Sequence, residues 1–418
     1  MAMSARLRIA LAGVFLCAVL AVPLSAAPAG ASVSPLPAQW QKGVNVTAFW
    51  WTDLSGKRFA HWLKAARTQV HADRVTFVVT WYQRFSRHSG RVDHLNATTI
   101  EPSYGSAKRC RNIGSSWAAC KTPSMAALRA AVRKARREGF KVAIRPQVDV
   151  GRGPLTAAPR DAIDIQGADR KRWFASYSRM LSQYARLARD AHADTLVVGS
   201  DLTGMTNDPE DRDYWHHLIL DTRSGALLGS PGKGFTGDLT YASTWKEALV
   251  EAADPKAARF PWADLDEIGI DAYFPLVSAS KPHDNPSVAT IRAGWAAPVA
   301  AVRAVHAEFA RPVVFTGLGY LSRKGTTVAP DNGDAQQAAN GGGLKMQAQE
   351  RPVAAAFDVW SAVARTDPWF RGIWWWEWPA SGRGGRRDGS HSLQGKPATR
   401  VVCRWHLGRA KAKCPVPG

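Results

Sequence analysis

The chain has 418 residues, 45% of them hydrophobic, and a formal net charge of +21. That length is ample for one large barrel or two ordinary domains. So basic a surface suits acidic partners, such as anionic cell-wall polymers or acidic polysaccharides; the charge is dispersed and accompanied by no binding motif, which argues against nucleic acid.

At the N-terminus, Arg6 and Arg8 precede an apolar run from Ile9 to Leu20, and Ala29-Gly30-Ala31 offers a small-residue cleavage site. The run is well short of the ~20 residues that a membrane span needs. Residues 1–31 therefore read as a signal peptide, the remainder as a secreted protein without stable membrane insertion. Four cysteines remain, Cys110, Cys120, Cys403 and Cys414, and an even count in an exported chain favours disulfides. Of the three connectivities, the short loops Cys110–Cys120 and Cys403–Cys414 are preferred. No zinc-type Cys/His spacing is present, and neither a metal nor a cofactor is expected.

Strand-like and helix-like stretches then alternate. Gly43–Thr47 reads as a strand, Lys57–Gln69 as a helix and Arg74–Thr80 as a strand. An irregular stretch from Arg84 to Lys121 holds the first cysteine pair. Met125–Gly139 is a basic amphipathic helix. Strands at Lys141–Pro146, Thr195–Val198, Leu239–Ala242, Glu267–Ile270, Pro312–Thr316 and Gly372–Trp376 follow, with helices at Arg172–Asp190, near Pro209–Leu220, at Ile291–Ala310 and at Val353–Arg365. Gly229–Gly234 reads as a turn, since its spacing does not fit a phosphate loop. His216-His217 reads as helix surface. Eight short strands alternating with helices predict a (β/α)8 barrel over residues 32–380, with a doubly wound sheet as the alternative. Residues 381–418, Gly- and Arg-rich before the second cysteine pair, read as a wrapped C-terminal extension.

In such a barrel the site forms at the C-terminal ends of the strands. Those ends carry Trp81, Arg145-Pro-Gln147-Val-Asp149, Ser200-Asp201, Asp271-Ala-Tyr273 and Trp376-Glu377. Facing carboxylates among aromatics suit sugar chemistry: rings stack on apolar sugar faces, and a protonated carboxyl donates to the glycosidic oxygen. Each group also has a plainer reading. Asp149 could cap a loop, Asp271 could brace the mouth through an arginine, and Tyr273 and Trp376 could be core aromatics. Trp374 and Trp375 must alternate in and out of the barrel.

In Lys42-Gly-Val44, Thr80-Trp-Tyr-Gln83, Arg145-Pro-Gln-Val-Asp149, Val198-Gly-Ser-Asp201, Glu267-Ile-Gly-Ile-Asp-Ala-Tyr273, Phe315-Thr-Gly-Leu-Gly-Tyr320 and Gly372-Ile-Trp-Trp-Trp376, the chain resembles glycoside hydrolase family 113, whose barrels include β-1,4-mannanases. The resemblance implies a retaining hydrolase with an acid/base glutamate ending strand four and a nucleophilic glutamate ending strand seven. Those positions hold Asp201 and Gly317. It also implies sugar contacts from Trp81, Asp149, Asp271, Tyr273 and Trp376. Asp201 is one methylene short, a retraction that can cost ~100-fold in rate, and Gly317 cannot supply a nucleophile. Three readings follow. In the first, Glu377 acts with Asp201 as an inverting pair on a β-linked polysaccharide such as β-mannan. In the second, a catalytically inactive barrel binds poly- or oligosaccharide. In the third, a structural protein is held to the wall by its charge.

Overall fold

The computed structural model describes residues 33–83, 86–88, 91–93, 97–106, 110, 120–150, 160–254, 260–279 and 286–415. The expected signal peptide lies outside them. Eight parallel strands form a closed barrel: β1 (Gln41–Ala48), β2 (Arg74–Gln83), β3 (Lys141–Val150), β4 (Thr195–Ser200), β5 (Asp238–Thr244), β6 (Ile268–Asp271), β7 (Val313–Leu318) and β8 (Phe370–Trp375). Each pairs with its neighbours in sequence, and β1 pairs with both β2 and β8. A two-residue antiparallel strand, Ile100–Glu101, adds to the end of β2. Among the described residues no helix is long and apolar enough to cross a membrane.

The strands read as continuous apolar runs because both faces are covered. In parallel pairing, partner residues share a face, so the register sorts inside from outside. Thr76, Ala143 and Thr195 point in, while Val75, Val142 and Leu196 point out under the helices. Trp374 fills the barrel's interior, and a Cβ on Gly43 would stand 2.3 Å from its ring, so only glycine fits there. Its indole donates to Gln41 (2.7 Å), and the Arg74 guanidinium lies 5.3 Å from its centroid. These groups close the floor. Trp375 turns the other way, onto Phe357 (5.0 Å), as the alternation requires.

The outer layer comprises α1 (Gly56–Gln69), α2 (Met125–Arg137), α3 (Ala168–Asp190), α4 (Asp211–Ser224), α5 (Trp245–Ala253), α6 (Val288–Gly294), α7 (Ala296–Phe309), a short α8 (Asp334–Ala339), α9 (Met346–Thr366) and α10 (Pro397–Leu407). The helix expected over Ile291–Ala310 is two, interrupted at Trp295. Pro298 has no N–H to continue the first, and its ring excludes the carbonyl four residues back. Conversely, α9 starts at Met346 and carries Pro352 inside it.

The expected C-terminal extension packs onto the barrel. It carries α10, whose Trp405 stacks on Phe357 of α9 (5.4 Å) and whose His406 Nδ1 meets the carbonyl of Val70 after α1 (2.6 Å). This helix thus lies against both α9 and the end of α1. Both disulfides form as expected, Cys110–Cys120 and Cys403–Cys414.

Candidate active site

The centre of the mouth is Arg145. On β3, alternation turns Ala143, Arg145, Gln147 and Asp149 inward. Arg145 is completely buried, which a guanidinium tolerates only when its charge and donors are matched. Its Nη1 donates to Asp271 Oδ1 (3.1 Å) and to the carbonyl of Thr316 on β7 (3.2 Å). Nη2 donates to Asp271 Oδ2 (2.5 Å), and Nε to Ser200 Oγ (3.0 Å). One side chain thus ties β3 to β4, β6 and β7.

Asp201 follows β4. A register shift between Val197 and Ser200 puts Ser200 on the inside, paired with Ala242. The left-handed backbone at Asp201 (φ 50°), which aspartate tolerates better than most residues, then brings its carboxylate in beside it. Asp201 Oδ2 lies 3.1 Å from Arg160 Nη1 and 3.6 Å from Arg145 Nη2. Arg160 also grips Asp149 at 2.6 Å. Among the described residues the cluster therefore holds three carboxylates, Asp149, Asp201 and Asp271, against the two guanidiniums of Arg145 and Arg160. With all ionised it carries one negative charge too many. Burial first, then the charge of Asp271, pushes the Asp201 carboxyl up to about 7, against the pull of both arginines. Such a group holds a proton in part of the population near neutral pH and can donate it to a leaving oxygen.

Gly317 on β7 pairs in register with Asp271, and the Gly317 carbonyl accepts from Ala272 N (2.7 Å). A Cβ on Gly317 would lie 2.8 Å from Asp271 Oδ1, so the Asp271 carboxylate occupies the ground where a strand-seven side chain would begin. Thr316 Oγ1 donates to the same oxygen (2.8 Å).

Across the mouth, Glu377 is buried. Its Oε2 accepts from Thr47 of β1 (2.7 Å), its Oε1 from Arg383 (2.7 Å). Arg383, 56% exposed, comes from the loop that leads to α10. Between the two sides, Trp376 lies 5.6 Å from the Arg145 guanidinium, and Tyr273 lies 6.0 Å from His391, ring to ring. Burial pushes the Tyr273 phenol well above its ordinary value; Asp271, Asp201 and Glu377 add to this and Arg145 opposes it.

The structure thus brings together Asp149, Asp201, Asp271, Tyr273, Gly317, Trp376 and Glu377, but not Trp81. Inward-facing residues of β2 are even-numbered, so Trp81 points into the helix layer, where it meets Tyr184 of α3 (6.0 Å). Tyr82, paired with Asp149, takes the inward position instead. Asp271 does brace the mouth through an arginine, and Asp149 holds Arg160. Sequence reasoning missed the parts played by Thr47, Arg160, Thr316, Arg383 and His391. The one signal for Arg160 was the surplus of carboxylates needing a cation.

No curated protein matches the sequence. Among solved structures, a family 113 β-1,4-mannanase in a complex superposes with TM-score 0.66 at 18% identity, over 88% of this chain and 99% of that one. The family 113 β-mannanase of Alicyclobacillus acidocaldarius, in complex with ManMIm, does so with TM-score 0.64 at 22% identity, over 88% and 97%. At such identities the likeness establishes the fold. The sequence model described as Glycoside Hydrolase Family 113 matches residues 103–393, the greater part of the chain and six of its eight strand ends. On that match the chain belongs to glycoside hydrolase family 113.

Proposed function

We propose that the chain binds a β-linked polysaccharide, such as β-mannan, across the mouth of the barrel and hydrolyses its glycosidic bond with Asp201 as the proton donor. The observation that carries this reading is the charge surplus that holds the Asp201 carboxyl near 7 beside the inward aromatics Trp376 and Tyr273. Those rings offer faces for sugar stacking, and Asp149 and Asp271 offer acceptors for hydroxyls. β-Mannan is favoured because the superposed relatives are β-mannanases. The two disulfides support a secreted, oxidising setting.

A sugar-binding protein without turnover is the second reading. Gly317 favours it, since no carboxylate leaves β7, and so does the ion pair between Arg160 and Asp201, which opposes protonation. Calorimetry on manno-oligosaccharides, with reducing-end release from β-mannan, separates the two. Binding with release supports hydrolysis; binding alone supports the second reading; no binding to either defeats both.

A further inference from the structure

We infer that Asp271, at the end of β6, is the second catalytic carboxylate, standing in for the side chain that Gly317 lacks. The inference rests on the hydrolytic reading above and names the residue that this reading leaves open.

Three observations converge on it. The first is place. A Cβ built on Gly317 lies 2.8 Å from Asp271 Oδ1, 3.0 Å from its Cγ and 3.1 Å from Oδ2. The whole carboxylate is packed where a strand-seven side chain would leave the backbone. It has moved one strand round the barrel while facing the same space.

The second is separation. Arg145 Nη2 is 2.5 Å from Asp271 Oδ2 and 3.6 Å from Asp201 Oδ2. Two atoms that share a neighbour cannot be farther apart than those two lengths laid end to end, so the oxygens are within about 6 Å of each other. Carboxyl pairs in retaining hydrolases stand ~5–5.5 Å apart, whereas inverting pairs need ~6.5–9.5 Å to admit water. Asp201 and Asp271 fall on the retaining side. Glu377 shares no cation with Asp201 among the described residues, and both its oxygens are held by Thr47 and Arg383.

The third is aim. Each carboxylate oxygen has two acceptor directions. Asp271 Oδ1 uses both, for Thr316 Oγ1 and Arg145 Nη1; Oδ2 uses one, for Arg145 Nη2. Among the described residues Oδ2 therefore keeps a lone pair, in a carboxylate whose rotation is locked at both ends.

In the first step, Oδ2 forms a bond to the anomeric carbon while the glycosidic C–O bond breaks, and the leaving oxygen takes the proton of Asp201. In the second, water attacks the same carbon and gives its proton to Asp201, and the ester bond to Asp271 breaks. Configuration is retained, one water is consumed and both carboxyls return to their starting states.

The test uses the full chain, 2,4-dinitrophenyl β-mannoside as substrate and 2-deoxy-2-fluoro-β-mannosyl fluoride as a trap. With the wild type, we expect retained anomeric configuration by proton NMR and a trapped sugar on the peptide that holds Asp271. We expect Asp271→Asn to lower kcat by roughly 10³-fold or more, and azide to restore turnover of Asp271→Gly with α-mannosyl azide as the product. Trapping on Glu377, inversion of configuration, or an Asp271→Asn variant within about tenfold of wild type overturns the proposal but leaves hydrolysis standing. A wild type that binds manno-oligosaccharide and never releases nitrophenol overturns both. Should Asp271→Asn not fold, because Arg145 loses its partner, the trapping result on the wild type decides.

Discussion

The two sides of the barrel mouth are built from the same residue types and balanced differently. On the Asp201 side, three carboxylates share two arginines, and the deficit is met by a proton that Asp201 holds unusually tightly. On the Glu377 side, Glu377 and Asp388 face Arg383 and Lys396, charge for charge. In a balanced cluster every charge has its partner, and its members serve as struts. An unbalanced one has a transferable proton built into its arithmetic. Chemistry is therefore expected on the first side and rigidity on the second.

Neutralising Asp201 should show the contrast most strongly. We expect Asp201→Asn to lower kcat by roughly 10²–10⁴-fold, the usual worth of a general acid, in an assay on β-mannan. Wild-type turnover should fall as pH rises through about 7, where Asp201 loses its proton. Stability carries the same signature. Asp201 binds its proton more tightly folded than unfolded, so its contribution is full below about pH 4 and is lost as the pH climbs to about 7. Thermal unfolding across that window should show the decline in the wild type and lose that component in Asp201→Asn.

Next in size is Arg145→Leu. Removing it strands Asp271 as a buried, unpaired charge, which typically costs about 3–5 kcal/mol. Denaturant unfolding should register a loss of that order; the same experiment on Arg383→Leu should register a smaller one, because Arg383 is 56% exposed and Glu377 keeps its hydrogen bond from Thr47. Equal losses would remove the distinction between a centre and a rim.

Gly317→Ala probes the shared ground between β6 and β7. Its Cβ would stand 2.8 Å from Asp271 Oδ1 and must push the carboxylate aside. A displacement on the ångström scale can cost ~10²-fold, so we expect kcat to fall by about that factor while the melting temperature moves little. A variant at full rate would mean that the position of Asp271 does not matter to turnover.

Much of this mouth was legible in the chain, and the illegible parts share a cause. Strand period and order gave the barrel, and cysteine spacing gave both disulfides. The resemblance to family 113 marked Gly317 as the position where a strand-seven carboxylate was expected. Asp271 could be read as the partner of an arginine, but not of which one, since Arg145 is 126 residues away. Arg160 had no local signature at all. Trp81 sits beside inward groups in sequence and faces outward in space, because side chains alternate along a strand. Two helices hid for local reasons. Thr244-Trp-Lys-Glu247 carries the capping-box pattern at the start of α5, with Thr244 Oγ1 accepting from Glu247 N (3.2 Å). Pro397 and Gly408 bracket α10 as helix ends prefer, inside a tail that read only as a wrapped Gly- and Arg-rich extension.

The smallest expected effect is also the sharpest discriminator. Glu377→Gln keeps the shape of the side chain and its hydrogen bond from Thr47, and gives up only the charge shared with a largely exposed Arg383. If the Glu377 side is a strut, turnover should stay within about tenfold of wild type, and stability should change by less than about 1 kcal/mol. If Glu377 were instead the base that activates water opposite Asp201, the amide could not accept the proton, and the rate should fall by roughly 10²–10⁴-fold with inversion at the anomeric carbon. The outcomes differ by at least an order of magnitude in rate and in the stereochemistry of the product, so one variant, one assay and one NMR spectrum determine which side of the mouth holds the second carboxylate.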